Sequence, residues 1–170
     1  MPGRLLVFCG IPGSGKTTIA RLVAKADPDA VHIQTDAFRN VVSRPTFGGE
    51  ESDFVYGAAV AAARMALDAG RLVILDATFG SSRRREKPLK AGGALLRADF
   101  VLVKCDLEPA LNRNASRAGP AAVPEKNLVD VLSRFEEPEG AMNVDSSRSQ
   151  PQGAADVIVR ALVYPLVPPE

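Results

Sequence analysis

The stretch Leu5-Leu6-Val7-Phe8-Cys9-Gly10-Ile11-Pro12-Gly13-Ser14-Gly15-Lys16-Thr17 decides the fold. It opens with a continuous apolar run that stops at a glycine, the pattern of a strand covered on both faces of a parallel sheet. The next residues, Gly10 to Thr17, fit G-x-x-x-x-G-K-[ST]. Beyond them, the spacing of Ile19, Ala20, Leu22, Val23 and Ala26 predicts a helix over Thr17–Ala26, stopped by Asp27-Pro28. Strand, glycine loop and helix, in that order, are the context the motif requires. Average residue frequencies produce such a match in roughly 1 chain in 200 of this length before that context is counted.

The chemistry of the motif follows from its backbone. Glycines let successive N–H groups turn inward around phosphate oxygens, and the helix start adds its positive dipole end. The lysine reaches the β- and γ-phosphates of a nucleoside triphosphate, and the Thr hydroxyl meets Mg²⁺. The expected cofactors are therefore ATP and Mg²⁺, held by Gly10, Gly13, Ser14, Gly15, Lys16, Thr17 and Thr18.

Around this motif the strands alternate with helices. Ala30–Thr35 reads as a second strand, and Asp36 opens a short helix over Ala37–Ser43. Arg44–Glu50, with Pro45, Gly48 and Gly49, has a loop's composition. An alanine-rich helix over Glu51–Ala69 ends at Gly70, and Leu72–Leu75 is a third apolar strand closed by Asp76. A helix over Ser82–Arg97, a strand over Phe100–Cys105 and helices over Leu107–Ala118 and Pro124–Phe135 come next. Ala141–Val144 reads as a short fifth strand, and Gly153–Val163 as the last helix. This alternation predicts an α/β layered fold with a parallel sheet, whose sites lie beyond the carboxyl ends of the strands.

The composition narrows the function classes. At 170 residues, 46% hydrophobic and 24% charged, the chain has the size and balance of one soluble globular domain, expected over 1–164 with a proline-rich tail at 165–170. The uncharged run Phe54–Ala63 is too short to cross a bilayer core of about 30 Å. The start, with Arg4 and few apolar residues before Gly10, does not read as a signal peptide, so a cytoplasmic location without a membrane partner is expected. Cys9 and Cys105 lie in apolar runs and read as core side chains. A single histidine, His32, argues against clustered-His metal sites and Ser-His-Asp chemistry, leaving a carboxylate as the expected base. A net charge of +1 does not suggest a long nucleic-acid footprint.

Four further groups are candidates. Asp76, at the end of the third strand, reads either as a turn or helix cap or, beside the glycine loop, as a Mg²⁺ ligand with Thr17. Asp36, at the end of the second strand, reads either as a helix cap or as the base that deprotonates a hydroxyl acceptor, with Arg39 three residues on steadying the moving phosphoryl group. Arg113 and Arg117 are i, i+4 on one helix and precede Gly119-Pro120, the makings of a lid near 113–124 that closes guanidinium groups on phosphates. Arg83, Arg84 and Arg85 form a basic cluster after Asp76, read as an exposed helix start or as part of an acceptor site.

With these residues in hand, the chain resembles P-loop kinases of the polynucleotide 5′-kinase type, within a broader group that includes zeta-toxin-like and seryl-tRNA kinase-like ATPases. The likeness runs from Leu5 to about Pro138. It rests on the glycine loop, on Gln34-Thr35-Asp36-Ala37-Phe38-Arg39, on Leu75-Asp76-Ala77-Thr78, and on Asn112-Arg113-Asn114-Ala115-Ser116-Arg117 leading to Ala122-Val123-Pro124. Arg134-Phe135-Glu136-Glu137-Pro138 also resembles stretches common in that group. The resemblance implies a three-layer P-loop fold with sheet order 2-3-1-4-5, Asp36 as general base and Arg117 as the main lid arginine, assisted by Arg113. It implies transfer of the γ-phosphoryl group of ATP to a hydroxyl, foremost the 5′-hydroxyl of a nucleic acid or nucleotide. Thr35 stands where nucleic-acid-directed members can carry a basic residue. A small-molecule acceptor such as a sugar or antibiotic is the alternative, and a nucleotide-switched binding protein a third reading that would not need Asp36 as a base.

Overall fold

The computed structural model describes residues 3–42, 48–90, 96–116, 123 and 125–164. Five parallel strands, β1 (Arg4–Cys9), β2 (Val31–Gln34), β3 (Leu72–Asp76), β4 (Asp99–Lys104) and β5 (Met142–Asp145), form one sheet in the order β2-β3-β1-β4-β5. The sheet order is the one the family resemblance implies. The apolar run Leu5–Cys9 lies in the central strand, as its lack of polar alternation requires.

The strand pleat assigns the apolar residues of β1 and β3 to one of two cores. Leu6, Phe8 and Ile74 face α1 (Lys16–Ala24) and α7 (Pro151–Ile158) together with Ile19, Val23 and Ile158. Leu5, Val7, Val73 and Leu75 face the opposite way, onto α3 (Gly49–Asp68) through Val60, Ala59 and Tyr56. The remaining helices are α2 (Thr35–Arg39), α4 (Ser82–Lys90), α5 (Leu107–Ala115) and α6 (Glu125–Ser133). The Cα of Asp76 pairs with those of Phe8 on one side and Gln34 on the other. The carboxyl edge of the sheet thus gathers the ends of β1, β2 and β3 side by side.

Several element boundaries differ from the sequence reading. The short helix begins at Thr35, so Asp36 lies inside its first turn rather than before it. The N-cap position falls on Gln34, which makes no side-chain capping bond, so Asp36 is not the cap of this helix. The last helix starts at Pro151, whose fixed φ suits the first turn. It passes into a π-helical turn at Val159–Val163. The expected flap lies in part, and the lid in large part, outside the described residues, as do Arg44, Arg117 and the tail at 165–170.

Phe8 is fully buried between the sheet and α1. Phe8→Ala should therefore destabilise the fold by about 3–5 kcal/mol, read as a lower midpoint of denaturant unfolding.

Candidate active site

The glycine loop wraps the start of α1. Gly15 occupies the N-cap with φ 84°, in the left-handed region that favours glycine, and its carbonyl accepts the N–H groups of Thr18 at 3.0 Å and Ile19 at 3.2 Å. Gly13 also has φ 84°, and a Cβ there would stand 2.2 Å from the Ala110 carbonyl oxygen of α5. No side chain fits in that gap. Lys16 is buried to 8% exposure and its Nζ donates to the Ile11 carbonyl at 3.3 Å, across the mouth of the loop.

The loop is held from behind by the turn after β5. Ser146 donates from Oγ to the Ser14 carbonyl at 2.6 Å. Arg113 spans the same seam, from Nη1 to Ser146 Oγ at 3.1 Å and the Gly13 carbonyl at 3.4 Å, and from Nη2 to the Ser146 carbonyl at 3.0 Å. Beside this seam opens a cleft of about 320 Å³, lined by Gly15, Thr18, Arg113 and the turn 146–151. Sequence reasoning missed Ser146. Its one signal was its position just past the carboxyl end of the fifth strand, where sites of parallel sheets lie.

Asp76 is 3% exposed and its Oδ1 has no hydrogen-bond partner among the described residues, nor has the buried Ser14 Oγ. His32 Nε2 lies 3.6 Å from Oδ2, close enough for attraction but too far for a hydrogen bond. Burial alone would raise the Asp76 carboxyl. The neighbouring His32, the Lys16 ammonium and the Thr17 hydroxyl outweigh burial and hold it below the ordinary carboxylate range. A buried, ionised carboxylate with an orphaned oxygen beside Thr17 and Lys16 is a donor set suited to a hard divalent cation such as Mg²⁺.

Across β2, Asp36 is exposed at the start of α2. Arg39 forms an ion pair with Glu51 in the first turn of α3, with both side chains largely buried. Glu51 carried no signal in the sequence, because the pair depends on how α2 meets α3. Arg85 is buried and its Nη1 donates to the carbonyls of Phe79 at 2.8 Å and Glu136 at 2.7 Å, while Arg83 and Arg84 stay exposed. The basic cluster therefore divides into one structural and two surface arginines.

A glycine loop between the first strand and helix of a 2-3-1-4-5 parallel sheet, with a buried carboxylate ending the adjacent strand, defines a P-loop nucleotide-binding protein. A family model described as an AAA domain matches residues 5–138, and the chain belongs to that family. No curated protein sequence matches it. Among solved structures it is similar to an unliganded sugar kinase from Janibacter sp. HTCC2649, at 24% identity over 96% of each chain with a TM-score of 0.77. It is also similar to the Mycobacterium tuberculosis APS kinase CysC in complex with AMPPNP and APS, at 21% identity over 92% of this chain and 96% of that one, TM-score 0.72. A chain of the Pnkp1/Rnl/Hen1 RNA repair complex matches at 21% identity over 78% of this chain and 44% of its own, TM-score 0.65. At these identities the likeness is one of fold. Among the described residues no helix is long and apolar enough to cross a membrane.

Lys16→Ala should remove most affinity for ATP with Mg²⁺ while leaving the unfolding midpoint near that of the wild type, as calorimetric titration and denaturant unfolding would show.

Proposed function

We propose that this chain is a kinase that transfers the γ-phosphoryl group of ATP to a hydroxyl acceptor. The observation that carries this reading is the ionised Asp76, with its orphaned oxygen, beside Thr17 and Lys16 at the mouth of the glycine loop. In this reading the backbone N–H groups of Gly13, Gly15, Lys16 and Thr17 hold the phosphates, with Ser14 and Thr18 beside them, and the cleft along residues 146–151 receives the nucleoside. Mg²⁺, held by Thr17 and Asp76, would supply charge neutralisation across the β- and γ-phosphates. Lys16 leaves the Ile11 carbonyl for the transferring group. Asp36 takes the acceptor's proton and Arg117 closes from the lid, while Arg113, which lines the cleft, assists by holding the loop to Ser146. The domain would run over 1–164.

For the acceptor, the arginines bear on two readings. An oligonucleotide end needs cations free for phosphates, yet Arg39 is paired with Glu51 and Arg85 with backbone carbonyls. Breaking a buried ion pair by losing one partner costs about 3–5 kcal/mol, so Arg39 and Glu51 act as a unit offering both a donor and a carboxylate. Such a pair suits the hydroxyls of a small polyhydroxylated compound, and the fold likeness to a sugar kinase agrees. The 5′-hydroxyl of a short nucleic acid or nucleotide is the second reading. It is favoured by the exposed Arg83 and Arg84, by the Gln34–Arg39 stretch and by the likeness to the Pnkp1 complex.

Asp36→Asn should keep ATP affinity while slowing transfer by roughly 10²–10⁴, measured with γ-labelled ATP. A wild-type rate in this variant would remove Asp36 as the base. Run on sugars, other small polyols, 3′-nucleotides and 5′-hydroxyl oligonucleotides, the same assay separates the acceptor classes. Arg117→Ala should lower kcat more than it weakens ATP binding, because the lid arginine meets charge that grows only during transfer.

A further inference from the structure

The stretch Arg134-Phe135-Glu136-Glu137-Pro138, which supplies no group to the binding and transfer steps proposed for this chain, grips the loop that leaves Asp76. Glu136 Oε2 accepts the Ser82 N–H at 2.7 Å and the Ser82 hydroxyl at 2.8 Å, at the first residue of α4. The Glu136 N–H donates to the Gly80 carbonyl at 3.0 Å. Arg85 closes the ring by donating to the carbonyls of Phe79 and Glu136. The Phe135 ring packs over Gly80, 3.6 Å from where a Cβ would stand. The two bonds from Ser82, backbone first, hold the Glu136 carboxyl below its ordinary range.

The gripped loop is both strained and joined to the phosphate cradle. Phe79 has φ 44°, in the left-handed region that a bulky side chain rarely adopts, and it is fully buried with its ring stacked 5.0 Å from that of Tyr56 in α3. The preceding Thr78 carbonyl accepts the Gly10 N–H at 3.3 Å, and the Ala77 N–H donates to the Phe8 carbonyl at 3.2 Å. Contacts thus run without a gap from Glu136 through Gly80, Phe79 and Thr78 to the first residue of the cradle.

We propose that Glu136, together with Arg85, is a positioning residue for phosphoryl transfer, a latch that holds Ala77–Ser82 in the conformation that aligns Asp76 with the glycine loop. The proposal rests on the kinase reading. Without the Glu136 carboxylate, Ser82 loses the acceptor for two donors, and the start of α4 is no longer tied to the stretch that holds Phe79 and Gly80. The cradle itself keeps Gly15 at its helix cap and Ser146 behind Ser14, so nucleotide affinity survives while alignment does not.

The test compares wild type, Glu136→Ala, Glu136→Gln and Glu137→Ala, following label from γ-labelled ATP into a panel of hydroxyl compounds and into water. Glu137, whose side chain pairs with Lys104 at the surface, is the control. Since a 1 Å misplacement costs roughly 10²-fold in rate, Glu136→Ala is expected to lower kcat by roughly 10-fold or more, with the Kd for ATP and Mg²⁺ changed by less than about twofold. Glu136→Gln, whose amide oxygen still accepts from Ser82, should recover most of the turnover, and Glu137→Ala should match the wild type. Wild-type turnover in Glu136→Ala overturns the latch and leaves the kinase reading standing. So does a parallel loss of ATP affinity, kcat and Tm in both Glu136 variants, which would make the contact merely structural. A wild type that passes label to no hydroxyl compound, whether or not it passes label to water, removes the kinase reading, and this inference with it.

Discussion

At Gly13 the backbone of the phosphate loop comes so close to the Ala110 carbonyl that a Cβ would stand 2.2 Å from it. The approach works only with glycine, and the neighbouring contacts build on it. Arg113, on the same helix as Ala110, reaches back to the Gly13 carbonyl, and Ser146 holds the carbonyl of Ser14. On the far side the Gly10 N–H is bound by Thr78. The loop is thereby fastened to the segments just beyond β3, β4 and β5.

Charge at this edge of the sheet is arranged with equal economy. Asp76 is a carboxylate almost without solvent, next to Lys16, and one of its oxygens has no hydrogen-bond donor among the described residues. Leaving a buried polar atom unpaired costs about 1–3 kcal/mol, and more when it is charged. In the proposed reading a cation held by Asp76 and Thr17 offsets that cost. Arg39 and Glu51 solve the opposite problem by neutralising each other between α2 and α3.

Much of this was legible in the sequence because it depends on local pattern. The run Leu5–Cys9, the glycine spacing and the strand-ending Asp76 are short-range signals, and they placed the central strand, the cradle and the buried carboxylate. The features that were not legible depend on long-range meetings. Glu51 meets Arg39 through the packing of α3 on α2, Ser146 meets Ser14 across 132 positions, and Arg85 turns inward where its neighbours do not. The three arginines at 83–85 look alike in sequence; only the path of Phe79–Gly80 past Glu136 separates them. Element ends were misjudged for a related reason, since Thr35 has a strand former's chemistry yet starts a helix once its hydroxyl reaches the Asp76 carbonyl.

In the proposed reading the two sides of the edge, the phosphate cradle and the exposed Asp36 at the start of α2, work together to move a phosphoryl group. Phosphorus NMR of the protein with ATP, Mg²⁺ and a mixture of sugars, polyols and 5′-hydroxyl oligonucleotides tests this most directly. The account predicts ADP and a new phosphomonoester signal appearing in equal amounts. ADP accompanied only by inorganic phosphate, or ATP bound and unchanged, would contradict it.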